Sequence, residues 1–297
     1  MTVEERAGPA VVALGGGHGL AVALQAARRY AGTLTAVVSV ADDGGSSGRL
    51  RRDLGVPAPG DLRKCLVALA GRESVWRDAF EHRFGVGDLG GHALGNLVIV
   101  GLAETLGDFT AALDEAGRLL DAVGRVLPAT TDPVVLKADV DGGAIEGQVA
   151  VASTSHRIRR VGLVPDDAEA SPLAIAAIEH ADQVLLAPGS LYTSLLPVLA
   201  VAQLRDAVGA ASARVVHVAN LRAEPPETAG LDATDHLRTV LEHGARVDAF
   251  LYQAGGLAAD EDAIRAWGIE PLAADVARGD GLVHDPARLA TALQALL

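Results

Sequence analysis

The sequence predicts an α/β protein: a Rossmann-like open parallel sheet with helices on both faces. Three observations predict it. Short runs that are apolar on both faces alternate with segments of helical periodicity, the pattern of a parallel sheet covered by helices. The 297 residues are 49% hydrophobic but only 3% aromatic, so the core is built mainly from Ala, Val and Leu. Glycine-rich polar loops follow one strand after another, and open α/β sheets bind their ligands beyond the carboxyl ends of the strands.

Taken in order, residues 10–14 read as a buried strand, 20–30 as a helix and 34–40 as a second strand, together one βαβ unit. Residues 60–70 and 75–84 are helical, with Pro59 just ahead of the first and Asp61 placed to favour its start. A glycine-rich loop then precedes helices at 92–106 and 109–123, so that about 85–125 forms a helical insertion. From about 130 to 162 the period falls to two: VVLKADV and AIEGQVAVA flank the turn Asp141-Gly142-Gly143, and 157–161 alternates as a further strand. This predicts an antiparallel hairpin region at one end of the sheet. The βα rhythm resumes with a helix at 174–181, a strand at 184–187, a helix at 195–208, a strand at 215–219, a helix at 232–243, a strand at 249–252 and helices at 261–267 and 286–297. No linker interrupts the chain, and residues 1–297 read as a single domain.

A net charge of −13 argues against a nucleic-acid backbone or an anionic membrane as main partner, since both need a basic surface. A single cysteine, Cys65, leaves no intrachain disulfide to form. The first residues, MTVEERAGPA, are acidic and polar where a signal peptide is basic and then apolar, and no apolar run reaches a membrane span. A cytoplasmic protein is expected, and homo-oligomer formation stays open.

The candidate site is a set of loops at strand ends. The first is Gly15-Gly16-Gly17-His18-Gly19. A Rossmann fingerprint needs a third glycine where Leu20 or Val22 stands, and a P-loop needs a lysine that is absent nearby, so neither motif is present. What remains is physical: glycines free the backbone N–H groups at a helix start to face an anion. The second loop, Asp42-Asp43-Gly44-Gly45-Ser46-Ser47, joins two carboxylates to two hydroxyls and suits a ribose, Mg²⁺ or a proton. Arg49 and Arg63 are candidate phosphate partners, with Gly60 and Asp61 at a helix start and Asn96 on a helix. Gly189, Ser190, Leu191, Tyr192 and Thr193 repeat the theme after a later strand, and Asn220 ends the next. No zinc spacing and no G-x-S-x-G nucleophile occurs.

Five blocks, GGGHGL at 15–20, VADDGGSSGRLRRDLGVPAPGDLRKCLVAL at 40–69, GHALGNL at 91–97, PGSLYTS at 188–194 and ATDHL at 233–237, together resemble the YvcK-like gluconeogenesis-factor family. That family is related to the 2-phospho-L-lactate transferases. The resemblance implies a cytoplasmic nucleotide-sugar binding protein whose ligand is UDP-N-acetylglucosamine or another diphosphate-bearing nucleotide. It further implies effects on cell-wall synthesis, cell shape and carbon metabolism, exerted through a regulatory protein partner and with no required cofactor. The alternative it implies is a transferase in which Asp42 and Asp43 hold Mg²⁺. The chain departs from the family pattern at Val283, where relatives carry an arginine before the pair matching His284-Asp285.

Overall fold

The computed structural model describes residues 7–297, and the acidic stretch 1–6 considered above lies outside them. The chain runs β1 (Ala10–Gly15), α1 (Gly17–Ala27), β2 (Thr33–Val38), α2 (Gly45–Leu54), α3 (Pro59–Leu69), α4 (Val75–Glu81), α5 (Leu94–Leu106), α6 (Phe109–Leu119) and β3 (Arg125–Pro128). A smaller unit follows: β4 (Val135–Val140), β5 (Gly143–Glu146), α7 (Gln148–Ser153) and β6 (Ile158–Val164). The remainder is α8 (Pro172–Glu179), β7 (Gln183–Leu186), a π-helical turn (Leu191–Leu195), α9 (Leu196–Leu199), α10 (Ala202–Ala210), β8 (Arg214–Val218), α11 (Ala233–Glu242), β9 (Ala249–Gln253), α12 (Glu261–Ala266), β10 (Glu270–Ala274) and α13 (Pro286–Gln294).

Seven strands form one sheet in the order β10-β9-β8-β7-β1-β2-β3, with every pair parallel. The central strands explain their own burial. Val11, Val12, Ala13 and Leu14 of β1 and all four residues of β7 are buried, because helices cover both faces. The chain steps from β1 outward through β2 to β3, returns to β7 on the other flank of β1, and steps outward again to β10. Strand order therefore reverses between β1 and β7, which makes the crevice beyond their carboxyl ends the place where such a sheet takes a ligand.

The α/β architecture matches the sequence reading, and several elements differ. The residues 144–152 that read as one strand split into β5 and α7, because Gly147 at φ 98 breaks the extended run and Asp43 caps the helix that follows. The antiparallel strands also do not extend the main sheet: β5-β4-β6 form a sheet of their own. The edge strands β3 and β10 were not anticipated, being short and each carrying a proline (Pro128, Pro271). The helix expected at 195–208 is interrupted, with the π-helical turn and α9 ahead of α10. Helix α1 starts at Gly17 instead of residue 20, so the glycine loop supplies its first turn.

Candidate functional site

The β1 loop is shaped by three glycines with different duties. Gly15 adopts φ +150, Gly16 is the extended cap of α1, and Gly17 turns left-handed at φ +63. No side chain caps α1 and no acidic residue lies in its first turn, so the leading N–H groups at Gly17, His18 and Gly19 face outward without a side-chain acceptor. Such a terminus attracts an anion through both its open donors and its dipole. Gly19 has a different role. A Cβ there would stand 2.0 Å from the carbonyl oxygen of Pro188, so β1 and β7 loops meet backbone to backbone. His18 is exposed on this turn, and its pKa lies below the ordinary histidine value through desolvation first and the nearby Lys64 second.

Two acidic side chains border the turn. A Cβ on Gly16 would come within 2.6 Å of Asp61 Oδ2 and 3.3 Å of Ser194 Cβ, which fixes Asp61 and Ser194 beside it. Asp61 also accepts from Lys64 Nζ at 2.9 Å. Asp42 is the neighbour of Asp61: a Cβ on Gly60 would meet Ser47 Oγ at 2.3 Å and Asp42 Oδ2 at 3.4 Å. Burial raises the Asp42 pKa first of all, the Gly44 N–H at 3.0 Å lowers it, and Asp61 raises it again. The second strand-end helix, α2, likewise starts without a side-chain cap at Gly44, and Gly45, Ser46 and Ser47 form its first turn.

Several residues expected at the site hold the scaffold around it. Asp43 accepts from the N–H groups of Gln148 (3.1 Å) and Val149 (3.0 Å), tying the β2 loop to α7 and leaving Asp42 as the carboxylate near Asp61. Ser46 Oγ lies 3.0 Å from His92 Nδ1 and accepts from Asn96 Nδ2 at 3.0 Å, a buried triplet behind the α2 turn. Arg49 donates to the Gly90 carbonyl at 2.8 Å, and the buried Arg63 donates to Phe80 at 3.1 Å. Asn220 clamps Gly189 in both directions: Gly189 N–H donates to its Oδ1 at 2.6 Å, and its Nδ2 donates to the Gly189 carbonyl at 2.8 Å. Leu191 is buried, and buried Tyr192 is hydrogen-bonded to Thr239 of α11.

The β7 loop carries a residue that sequence reasoning missed. The carboxylate of Glu227 accepts from the N–H groups of Tyr192 (2.7 Å) and Thr193 (3.2 Å) and from the Ser190 hydroxyl. It occupies the donor cluster at the start of the π-helical turn where an anion was expected. Burial raises its pKa, opposed by those hydrogen bonds. Nothing in EPPET marked Glu227 as a cap, because it acts from 35 residues away. Glu227→Ala is expected to lose about 1–2 kcal/mol of stability in urea denaturation, the loss from uncapping a helical start.

A small cleft of about 160 Å³ opens between the β1 and β7 loops, with His18, Gly19, Gly189 and Asn220 on its walls and Arg222 and His284 opposite. Burial pulls the His284 pKa down to about 4, and its Nε2 has no hydrogen-bond partner among the described residues. Val283, the departure from the family pattern, lines the same cleft.

An open parallel sheet with uncapped helix starts at its switch point places the chain in the Rossmann-like class, whose helix N-termini are suited to anions. The family model described as 2-phospho-L-lactate transferase CofD matches residues 11–279. The gluconeogenesis factor of Bacillus subtilis is 42% identical over 237 residues, 79% of this chain and 75% of that protein. A Mycobacterium leprae protein provisionally named a gluconeogenesis factor is 45% identical over 308 residues, 97% of this chain and 86% of that one. A crystal structure of a Bacillus halodurans member of the UPF0052 family superposes with a TM-score of 0.92 at 34% identity, covering 97% of this chain and 99% of the other. The chain belongs to the CofD family, in its YvcK-like gluconeogenesis-factor branch. Among the described residues no helix is long and apolar enough to cross a membrane.

Proposed function

We propose that the protein is a cytoplasmic nucleotide-sugar sensor that binds UDP-N-acetylglucosamine with its diphosphate on the α1 turn and regulates cell-wall synthesis, cell shape and carbon metabolism through a protein partner. The observation that carries this reading is the uncapped α1 start at the switch point, packed directly against the β7 loop. The Gly17, His18 and Gly19 N–H groups would hold the diphosphate, and the cleft between His18 and Arg222 would take an adjoining part of the ligand. Binding by backbone donors needs no metal and no nucleophile.

The second reading, a Mg²⁺-dependent transferase, rests on the family match and on Asp42, which lies beside the Ser47 hydroxyl and close enough to Asp61 to feel its charge. These are hard oxygen donors, and Mg²⁺ commonly takes one or two carboxylates together with substrate phosphates. The pair that fits is Asp42 with Asp61, since Asp43 is engaged by α7. Bound there, Mg²⁺ would neutralise charge on a transferring phosphoryl group. Asp42 and Asp61 would orient it, and the α1 N–H groups would hold the phosphates that remain.

Isothermal titration calorimetry separates the two. UDP-N-acetylglucosamine is expected to bind without Mg²⁺, and Gly17→Val, which forces a branched side chain to φ +63, to weaken it about tenfold or more. Failure of every UDP-sugar to bind would remove the sensor reading. Metal-dependent consumption of a diphosphate donor, lost in Asp42→Asn, would establish the transferase instead.

A further inference from the structure

A second cavity among the described residues is larger than the cleft at the switch point. It is an open groove of about 880 Å³ at the C-terminal ends of α1 and α3, lined by Arg28, Arg29, Arg72, Arg77 and Glu73, with Tyr30 at its base. Four arginines against one glutamate are an outlier in a chain whose net charge is −13.

The arginines differ in what they do. Arg28 is anchored, donating to the carbonyls of Ala68 at 3.2 Å and Ala70 at 3.1 Å, so its charge is fixed in the groove wall. Arg77 stands 3.9 Å from Glu73, whose side chain is 96% exposed, a loose pair that solvent screens heavily. Arg29 and Arg72 are exposed and have no hydrogen bond or ion pair among the described residues. Among the described residues, two guanidinium forks without a partner therefore flank a concave surface that also carries the anchored charge of Arg28.

Two exposed apolar residues directly precede the lining residue Arg77 in the chain. Val75 and Trp76, which open α4 between Arg72 and Arg77, are 84% and 49% exposed. An exposed tryptophan bracketed by arginines has the composition of a protein-docking anchor, since Trp and Arg are the side chains most enriched where binding energy concentrates. We infer that this groove docks an acidic polypeptide segment of a partner protein, with carboxylates paired to Arg29 and Arg72 and an apolar side chain against Trp76. The occupant is a polypeptide because the charges are spread along an open groove and joined to an apolar patch. A small anion would use only the charges. A nucleic acid or an anionic membrane would need a basic surface broader than one groove on an acidic protein. The groove shares no lining residue with the switch-point cleft, so this inference stands whatever ligand that cleft takes.

Tryptophan fluorescence tests it directly. The chain has two tryptophans, Trp76 and Trp267, so Trp267→Phe leaves Trp76 as the sole reporter. Titration of that variant with a peptide of repeated Glu-Glu-Leu is expected to shift Trp76 emission saturably, with affinity that falls as NaCl rises. Adding Arg29→Glu and Arg72→Glu, both on exposed side chains, is expected to weaken the peptide about tenfold or more while leaving the melting temperature and UDP-N-acetylglucosamine binding unchanged. Absence of a Trp76 response, or equal peptide affinity in the charge-reversed variant, would overturn the proposal. So would inorganic phosphate displacing the peptide at equal molarity, which would mean a small-anion site, or a stronger Trp76 response to phosphatidylglycerol vesicles than to the peptide. A Trp76 shift that instead tracks dilution of the protein alone would assign the groove to a second copy of the chain and also overturn it.

Discussion

Gly19→Ala is expected to reduce UDP-N-acetylglucosamine affinity by about a hundredfold and to lower the melting temperature. The added Cβ would lie 2.0 Å from Pro188 O, 2.5 Å from Pro188 C and 2.8 Å from Gly189 Cα. All three are backbone atoms, so no side-chain rotation relieves the clash. The β7 loop must move away from α1, and the move separates the two loops that flank the cleft. Overpacking of this kind costs about 1–3 kcal/mol in stability, and an ångström of displacement among binding groups is worth about two orders of magnitude. Gly101→Ala is the control. Gly101 is exposed in the middle of α5, where an added Cβ would meet nothing within 4 Å beyond its own helical backbone, and the substitution is expected to stabilise by about 0.5–1 kcal/mol without touching affinity. Calorimetry and thermal melts on the two variants check both halves of the expectation.

The second large effect is acid sensitivity. Six of the nine histidines, His18, His92, His217, His236, His243 and His284, have pKa values below the ordinary one, each with desolvation as the first cause. His217 and His284 are pulled down to about 4. Between 6.5 and 4 the unfolded chain binds protons at these two sites and the folded chain does not. Their contribution is therefore whole above pH 6.5 and is lost as pH falls, by about 3 kcal/mol for each site on reaching pH 4. Asp42, Glu224 and Glu227 act in the opposite sense, because burial raises their pKa values and the folded state takes up their protons first. Set against an ordinary stability of about 5–15 kcal/mol, the loss at the two histidines is a large fraction. Urea midpoints measured from pH 7.5 to 4.5 are expected to fall steeply, and His217→Leu to flatten the curve. A wild-type profile that is unchanged by His217→Leu would show that this ring takes up its proton alike in the folded and unfolded chain.

The sheet was legible because its signal is local. Val11–Leu14 and Val184–Leu186 are apolar on both faces, and no context is needed to read them as buried strands. Grouping the loops at the carboxyl ends followed from that rhythm alone. The errors arose where a distant residue decides local structure. AIEGQVAVA alternates like a strand, yet Asp43, more than 100 positions earlier, caps its second half into α7. The same contact removes Asp43 from the pair of carboxylates that the sequence made look equivalent, and it is Asp42 that stays beside Asp61. Asn220 and Glu227 show the limit from the other side. One is a strand-end polar residue that clamps Gly189, and the other is an unmarked loop carboxylate that fills an anion nest. Polarity at a strand end identifies the edge where a ligand goes, but only geometry separates the groups that face a ligand from those that hold the loops.

A crystal structure of the protein with UDP-N-acetylglucosamine would locate the diphosphate relative to the α1 turn. The diphosphate is expected on the N–H groups of Gly17, His18 and Gly19, within reach of Ser194, with an adjoining part of the ligand in the cleft lined by His18, Arg222 and His284. A diphosphate bound elsewhere, with the α1 turn left to solvent, would contradict this placement.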